Sequence, residues 1–122
     1  MEYEKMTQEQ ARSYFMNLPK DIYAERMVWF GAWREYREVS EKLSKIEERI
    51  SLEILKQVDE NGKKLYPNDA LRKEAVQLRL NQMPEHANLK KRVEVLEVEM
   101  AGSQIRSDYL KNQFDILKVV GV

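Results

Sequence analysis

Residues 89–117 read LKKRVEVLEVEMAGSQIRSDYLKNQFDIL, and this stretch decides the fold class. Apolar residues and two serines recur in it at alternating steps of four and three, which is the spacing of a coiled-coil seam. This face, here called the first stripe, consists of Leu89, Val93, Leu96, Met100, Ser103, Ser107, Leu110, Phe114 and Leu117. The stretch therefore predicts a long helix that packs along its length against another helix.

A second apolar face lies beside the first one on the same predicted helix. This second stripe consists of Val95, Val98, Gly102, Ile105, Tyr109, Ile116 and Val119. One stripe is enough for one partner helix, so two stripes predict two neighbours. The second neighbour is either the short N-terminal helix described below or another copy of the chain. In the latter case we expect a homo-oligomer with Val98, Ile105, Tyr109 and Ile116 at its interface.

The partner of the first stripe is predicted upstream, where residues 21–60 contain no proline and one glycine. Apolar residues follow a near-heptad spacing from Trp29 to Ile50, and then recur in steps of four at Ile54 and Val58. Such four-residue steps resemble a stutter, which locally unwinds a supercoil. The pattern predicts one long helix that forms the other arm of a hairpin.

Capping and breaking residues mark the ends of the predicted helices. Thr7 and Gln10 form a capping box, and Pro19 is expected to close the short helix that follows. Gly62 is expected to cap the long helix, and Pro84 to separate the last two helices. The predicted helices span 7–18, 21–60, 68–83 and 85–119. The sequence thus predicts one all-α domain over residues 1–122, a long antiparallel, coiled-coil-like helical hairpin with a short N-terminal amphipathic helix.

The composition excludes several kinds of chemistry. The 122 residues include no cysteine and one histidine, so disulfides, a thiol nucleophile and a Cys- or His-rich metal centre are excluded. The single histidine, His86, follows a predicted helix break and is expected to be exposed. Without a phosphate-binding loop or a catalytic set of side chains, we expect no enzymatic activity, no cofactor and no small-molecule substrate.

The sequence also indicates where the protein is located. The N-terminal residues carry no apolar segment of a signal peptide, and no apolar run approaches 18 residues. We therefore expect a cytoplasmic protein that does not enter the membrane. Lysine and arginine number 21, as do aspartate and glutamate, so the formal net charge is zero.

Most aromatic residues lie in the N-terminal third of the chain. Trp29 and Trp33 share one helix face at a spacing of four, with Tyr36 beside them. One interpretation is core packing, since a hairpin places the two tryptophans opposite small residues of the last helix near Gly102. The other is a hot spot for a protein partner formed by Trp29, Trp33 and Tyr36, because tryptophan and tyrosine dominate such sites.

Basic residues group around the predicted loop. Lys63 and Lys64 lie in the loop, Arg72 and Lys73 open the next helix, and Tyr66 lies between them. One interpretation is ion pairing with acidic residues of the facing helix. The alternative is binding of single-stranded nucleic acid, with the cations on phosphates and Tyr66 stacked on a base.

The order of these features carries a family resemblance. An aromatic-rich N-terminal part and a long charged helix precede Asn61-Gly62-Lys63-Lys64 and Tyr66-Pro67-Asn68, and leucine-rich helices follow. This layout resembles small helical accessory proteins encoded in the replication and recombination regions of bacteriophages, among them recombination mediators. The resemblance implies a non-enzymatic oligomer that bridges single-stranded DNA, its binding protein and a recombinase. The residues themselves predict a self-associating scaffold, adaptor or inhibitor of another macromolecule.

Overall fold

The computed structural model describes residues 7–121, and these residues form three helices. Helix α1 spans Gln8–Lys56, α2 spans Asp69–Asn81 and α3 spans Pro84–Val119. Helices α1 and α3 pack against each other as a helical hairpin, which confirms the predicted all-α class. The contacts divide the chain into two compact units. The terminal unit joins residues up to Arg34 with residues from Glu97 onward, and the central unit comprises Glu35–Leu96.

Helix α1 is continuous through Pro19, so the predicted break between a short and a long helix is wrong. The capping box at its start is confirmed, since the Thr7 amide donates to Gln10 Oε1 (2.9 Å) and the Gln10 amide to Thr7 Oγ1 (3.1 Å). Proline inside a helix costs about 3 kcal/mol or more. Packing in the turn before the proline offsets that cost, because Leu18 is fully buried and the Phe15 ring stacks on Phe114 at 4.8 Å.

Helix α1 ends at Lys56, four residues before the predicted end, because a local hydrogen-bonded loop replaces its last turn. The Asp59 carboxylate accepts hydrogen bonds from the amides of Asn61 and Lys63, both at 2.9 Å. Gly62 takes a φ of +79°, as the turn requires. It therefore serves this loop and not the predicted helix cap.

The core of the central unit lies where the four-residue steps of α1 occur. Ile46, Ile50 and Ile54 are buried there in one cluster with Ala75 and Leu80 of α2. Steps of four shift the apolar face of α1 around the helix, so that it faces α2 as well as α3. The predicted stripe does not extend to Val58, which lies beyond the end of α1 and is exposed.

The starts of α2 and α3 follow their capping chemistry. The Asn68 side chain accepts a hydrogen bond from the Leu71 amide at 2.9 Å. Helix α3 begins at Pro84, a position where the missing N–H costs nothing. His86 thus lies in the first turn of α3 and only 8% of it is exposed, so the expectation of an exposed histidine is wrong. Its Nε2 lies 3.1 Å from Oε1 of Glu47 on α1.

Two further expectations from the sequence concern membrane-spanning helices and the N-terminal aromatic residues. Among the helices of residues 7–121, none is both long and apolar enough to cross a membrane. Tyr3, one of the N-terminal aromatic residues, lies outside the described residues.

Candidate interaction surfaces

The first stripe of α3 is buried or half-buried at every position. In the terminal unit its most buried members are Ser103, Ser107 and Leu117, and in the central unit it is Leu96. The heptad spacing therefore identified the face of α3 that packs against α1.

Hydrogen bonds explain why a serine occupies an apolar position of this stripe. The Ser103 hydroxyl donates to the backbone oxygen of Glu25 at 2.5 Å, and Glu25 Oε2 lies 3.1 Å from it. The other carboxylate oxygen of Glu25 accepts from Nε of Arg106 at 2.9 Å. A buried hydroxyl without a partner would cost free energy, so this linkage between α1 and α3 is structural.

The second stripe of α3 is exposed. Val98, Ile105 and Val119 are 73%, 69% and 86% exposed, and Tyr109 and Ile116 are exposed as well. Within residues 7–121, the predicted short helix is the beginning of α1 and not a separate helix that folds back onto this stripe. The other predicted neighbour, a second copy of the chain, stays a prediction.

An apolar depression of about 440 Å³ borders the second stripe in the terminal unit, lined by Ile105, Tyr109 and Leu110 among others. Near it, burial raises the pKa of the Tyr14 phenol above its ordinary value of 10.0, and the proximity of Tyr109 and Asp21 adds to this. Tyr109 of the second stripe therefore lies close to Tyr14 of α1.

The predicted aromatic hot spot is half-buried. The rings of Trp29 and Trp33 stack at 6.1 Å, and Phe30 lies 5.6 Å from Trp33 with Arg34 over its face. Trp29 and Ser103 both line a depression of about 500 Å³ in the terminal unit. Tyr36 is also half-buried, in the central unit. Each of the three side chains is thus partly covered and partly exposed, and both interpretations, core packing and a partner hot spot, stay predictions.

The five predicted nucleic-acid residues do not form one open site. Lys63, Lys64 and Lys73 are exposed. Arg72, however, pairs with Asp69 and donates to the backbone oxygen of Tyr66 at 3.2 Å.

Tyr66 itself is half-buried and packs against the core cluster of the central unit, which leaves only part of it for stacking on a base. Ion pairing across the hairpin is made by other basic residues. Arg79 binds Glu53 of α1, and Arg92 binds Glu35.

The structure contains a groove that the sequence patterns did not predict. This groove, of about 750 Å³, lies in the central unit between its three helices, and its apolar lining includes Leu52, Leu55, Val76 and Leu80. The available signal in the sequence was that Leu52 and Leu55 are apolar residues that lie off the seam of α1. Their role could not be recognised because the position of α2 beside them does not follow from periodicity.

Within residues 7–121, no three or more histidine or acidic side chains are grouped so as to hold a metal ion. Comparison with known protein families, with curated proteins and with solved structures finds no match to this chain. The resemblance to bacteriophage accessory proteins therefore stays a prediction.

Proposed function

We propose that this protein is a non-enzymatic interaction protein, a scaffold, adaptor or inhibitor, that self-associates through the second stripe of α3. The observation that supports this most is the exposure of that stripe. Val98, Ile105, Tyr109 and Ile116 recur at heptad spacing on a helix whose other face is already packed. Covering a regular apolar face with a matching face lowers the free energy, because apolar surface leaves water.

The ionisable side chains of the hairpin also support a structural protein. Glu25 binds Arg106 in the terminal unit, and Glu35 binds Arg92 in the central unit. These carboxylates connect helices by ion pairs, and such pairing is what long charged helices ordinarily use.

A pair of variants tests the proposal. Ile105→Glu should convert the oligomer to monomer, because association would bury a carboxylate in an apolar contact. Gln104→Glu adds the same charge at the neighbouring exposed position, off the stripe, and should leave association unchanged. Sedimentation velocity measures both, and circular dichroism confirms that each variant stays helical. If both variants associate like the wild type, the second stripe is not the interface.

The alternative, binding of single-stranded nucleic acid, has less support because Tyr66 is packed and Arg72 is paired. It keeps the exposed lysines Lys63, Lys64 and Lys73 in its favour. A salt titration of oligothymidylate binding separates the two functions. Steep salt dependence, with a slope that falls by roughly 0.7 for each lysine changed to alanine, would favour the alternative.

A further inference from the structure

The groove of the central unit leaves apolar surface in a concave place. Its lining from α2 is well packed, since Leu80 is buried and Val76 packs against the core cluster. Its lining from α1 is not, because Leu52 is 46% and Leu55 39% exposed. Apolar side chains that line a concave surface are the usual floor of a binding site.

The charge that the groove presents is positive. Two carboxylates line it, Glu47 and Asp69; Arg72, which lines it too, pairs with Asp69, and Glu47 lies beside His86. Lys73 of α2 and Lys90 of α3 also line it, and both are exposed. A ligand in the groove therefore meets an apolar floor with ammonium groups from two different helices at its rim.

We propose that this groove binds an amphipathic helix of another protein, with apolar side chains over Leu52 and Leu55 and carboxylates facing Lys73 and Lys90. An amphipathic helix presents apolar side chains at spacings of three and four, which suits a groove whose walls are helices. Acidic residues beside its apolar face complement the two lysines. The groove belongs to the central unit and is thus distinct from the second stripe segment proposed for self-association, which belongs to the terminal unit.

Two synthetic helical peptides with the same leucine face test the inference on the full chain. One carries glutamates beside the leucines, and the other carries lysines at the same positions. By fluorescence anisotropy we expect saturable binding of the glutamate peptide, about tenfold tighter than that of the lysine peptide, and weaker binding at higher salt. Absence of saturable binding, or equal binding of the two peptides, would overturn the proposal.

Variants locate the binding in the groove. Leu52→Glu should weaken the glutamate peptide at least about tenfold, because it places a carboxylate on the apolar floor. Leu71→Glu makes the same change at a leucine of similar exposure, 42%, outside the groove, and should have little effect. Equal losses in the two variants would place the binding elsewhere and contradict the proposal.

A charge reversal completes the test. Replacing both lysines, Lys73→Glu with Lys90→Glu, should reverse the preference in favour of the lysine peptide. An unchanged preference would contradict the proposed contact with carboxylates. Sedimentation of Leu52→Glu should match that of the wild type, so failure of the groove proposal can be told apart from failure of self-association.

Discussion

At the residue scale, polar side chains connect α1 to α3 at several levels. Arg106 binds Glu25 in the terminal unit, and Arg92 binds Glu35 in the central unit. His86 lies against Glu47, also in the central unit. The sequence showed that the hairpin would carry many opposite charges. It could not show which of them meet, because that depends on the register of the two helices to within one turn.

The pair of Glu35 and Arg92 predicts a pH dependence. Hydrogen bonds from Arg92 hold the pKa of Glu35 below its ordinary value of 4.5, against a smaller opposing effect of desolvation. A lowered pKa contributes stability that is present above pH 4.5 and is lost as the pH falls through the folded-state value. In urea unfolding, the deficit of Glu35→Gln relative to wild type should therefore shrink as the pH is lowered below 4.5.

Glu38→Gln is the matched control for this measurement, since Glu38 is an exposed carboxylate of the same helix. Its difference from the wild type should be smaller at neutral pH. A Glu35→Gln deficit that stays constant across the acid range would contradict a role for the ionised carboxylate.

Two glycines should respond in opposite ways to the same substitution. Gly62→Ala should destabilise the protein by about 1–2 kcal/mol, because Gly62 has a φ of +79° and an L-residue is strained there. Gly31→Ala should stabilise it by roughly 0.5–1 kcal/mol, because Gly31 lies inside α1 with open space around it. Urea unfolding of both variants measures the difference. If both substitutions changed the free energy of unfolding in the same direction, the description of the loop or of the helix would be wrong.

At the element scale, periodicity was a good guide to the helices and a poor guide to their ends. The first stripe correctly gave the packed face of α3. The four-residue steps of α1 lie where it also contacts α2, a contact that the spacing did not predict. Pro19 was read as a stop because proline lacks the N–H that a helix needs. The burial of Leu18 outweighs that local preference. A rule based only on neighbouring residues in the sequence does not include such tertiary packing.

The continuous path of α1 predicts that Pro19 is a net cost to stability. Pro19→Ala should restore a backbone hydrogen bond and raise the free energy of unfolding by up to about 3 kcal/mol. Pro67→Ala, which changes an exposed proline in the loop between α1 and α2, is the control and should change stability by less than about 1 kcal/mol. A destabilised Pro19→Ala would indicate that a break at this position is favourable, as the sequence rules expected.

The candidate surfaces were predictable to different degrees. The second stripe could be identified in advance because its members keep a heptad spacing on one helix. The groove could not, because Leu52 and Val76 come from different helices and meet through the placement of α2. The packing of Tyr66 against the core cluster was not predictable for the same reason, since it depends on the tertiary structure.

At the scale of the whole molecule, the charge balance permits self-association. With 21 basic and 21 acidic residues, two copies experience no net repulsion as they approach. No long-range electrostatic repulsion then opposes contact between the second stripes of two copies. Association would remove their exposed apolar side chains from water. A self-associating protein with a separate groove for a helical partner would have the two kinds of surface that an adaptor needs.

Self-association is the central claim, and the mass of the wild-type protein in solution tests it most directly. Sedimentation equilibrium over a range of micromolar concentrations measures that mass. Our account predicts a mass that rises with concentration toward at least twice the 14.6 kDa of one chain. A mass of 14.6 kDa at every concentration would contradict it, because the second stripe would then be stable in water without a partner copy.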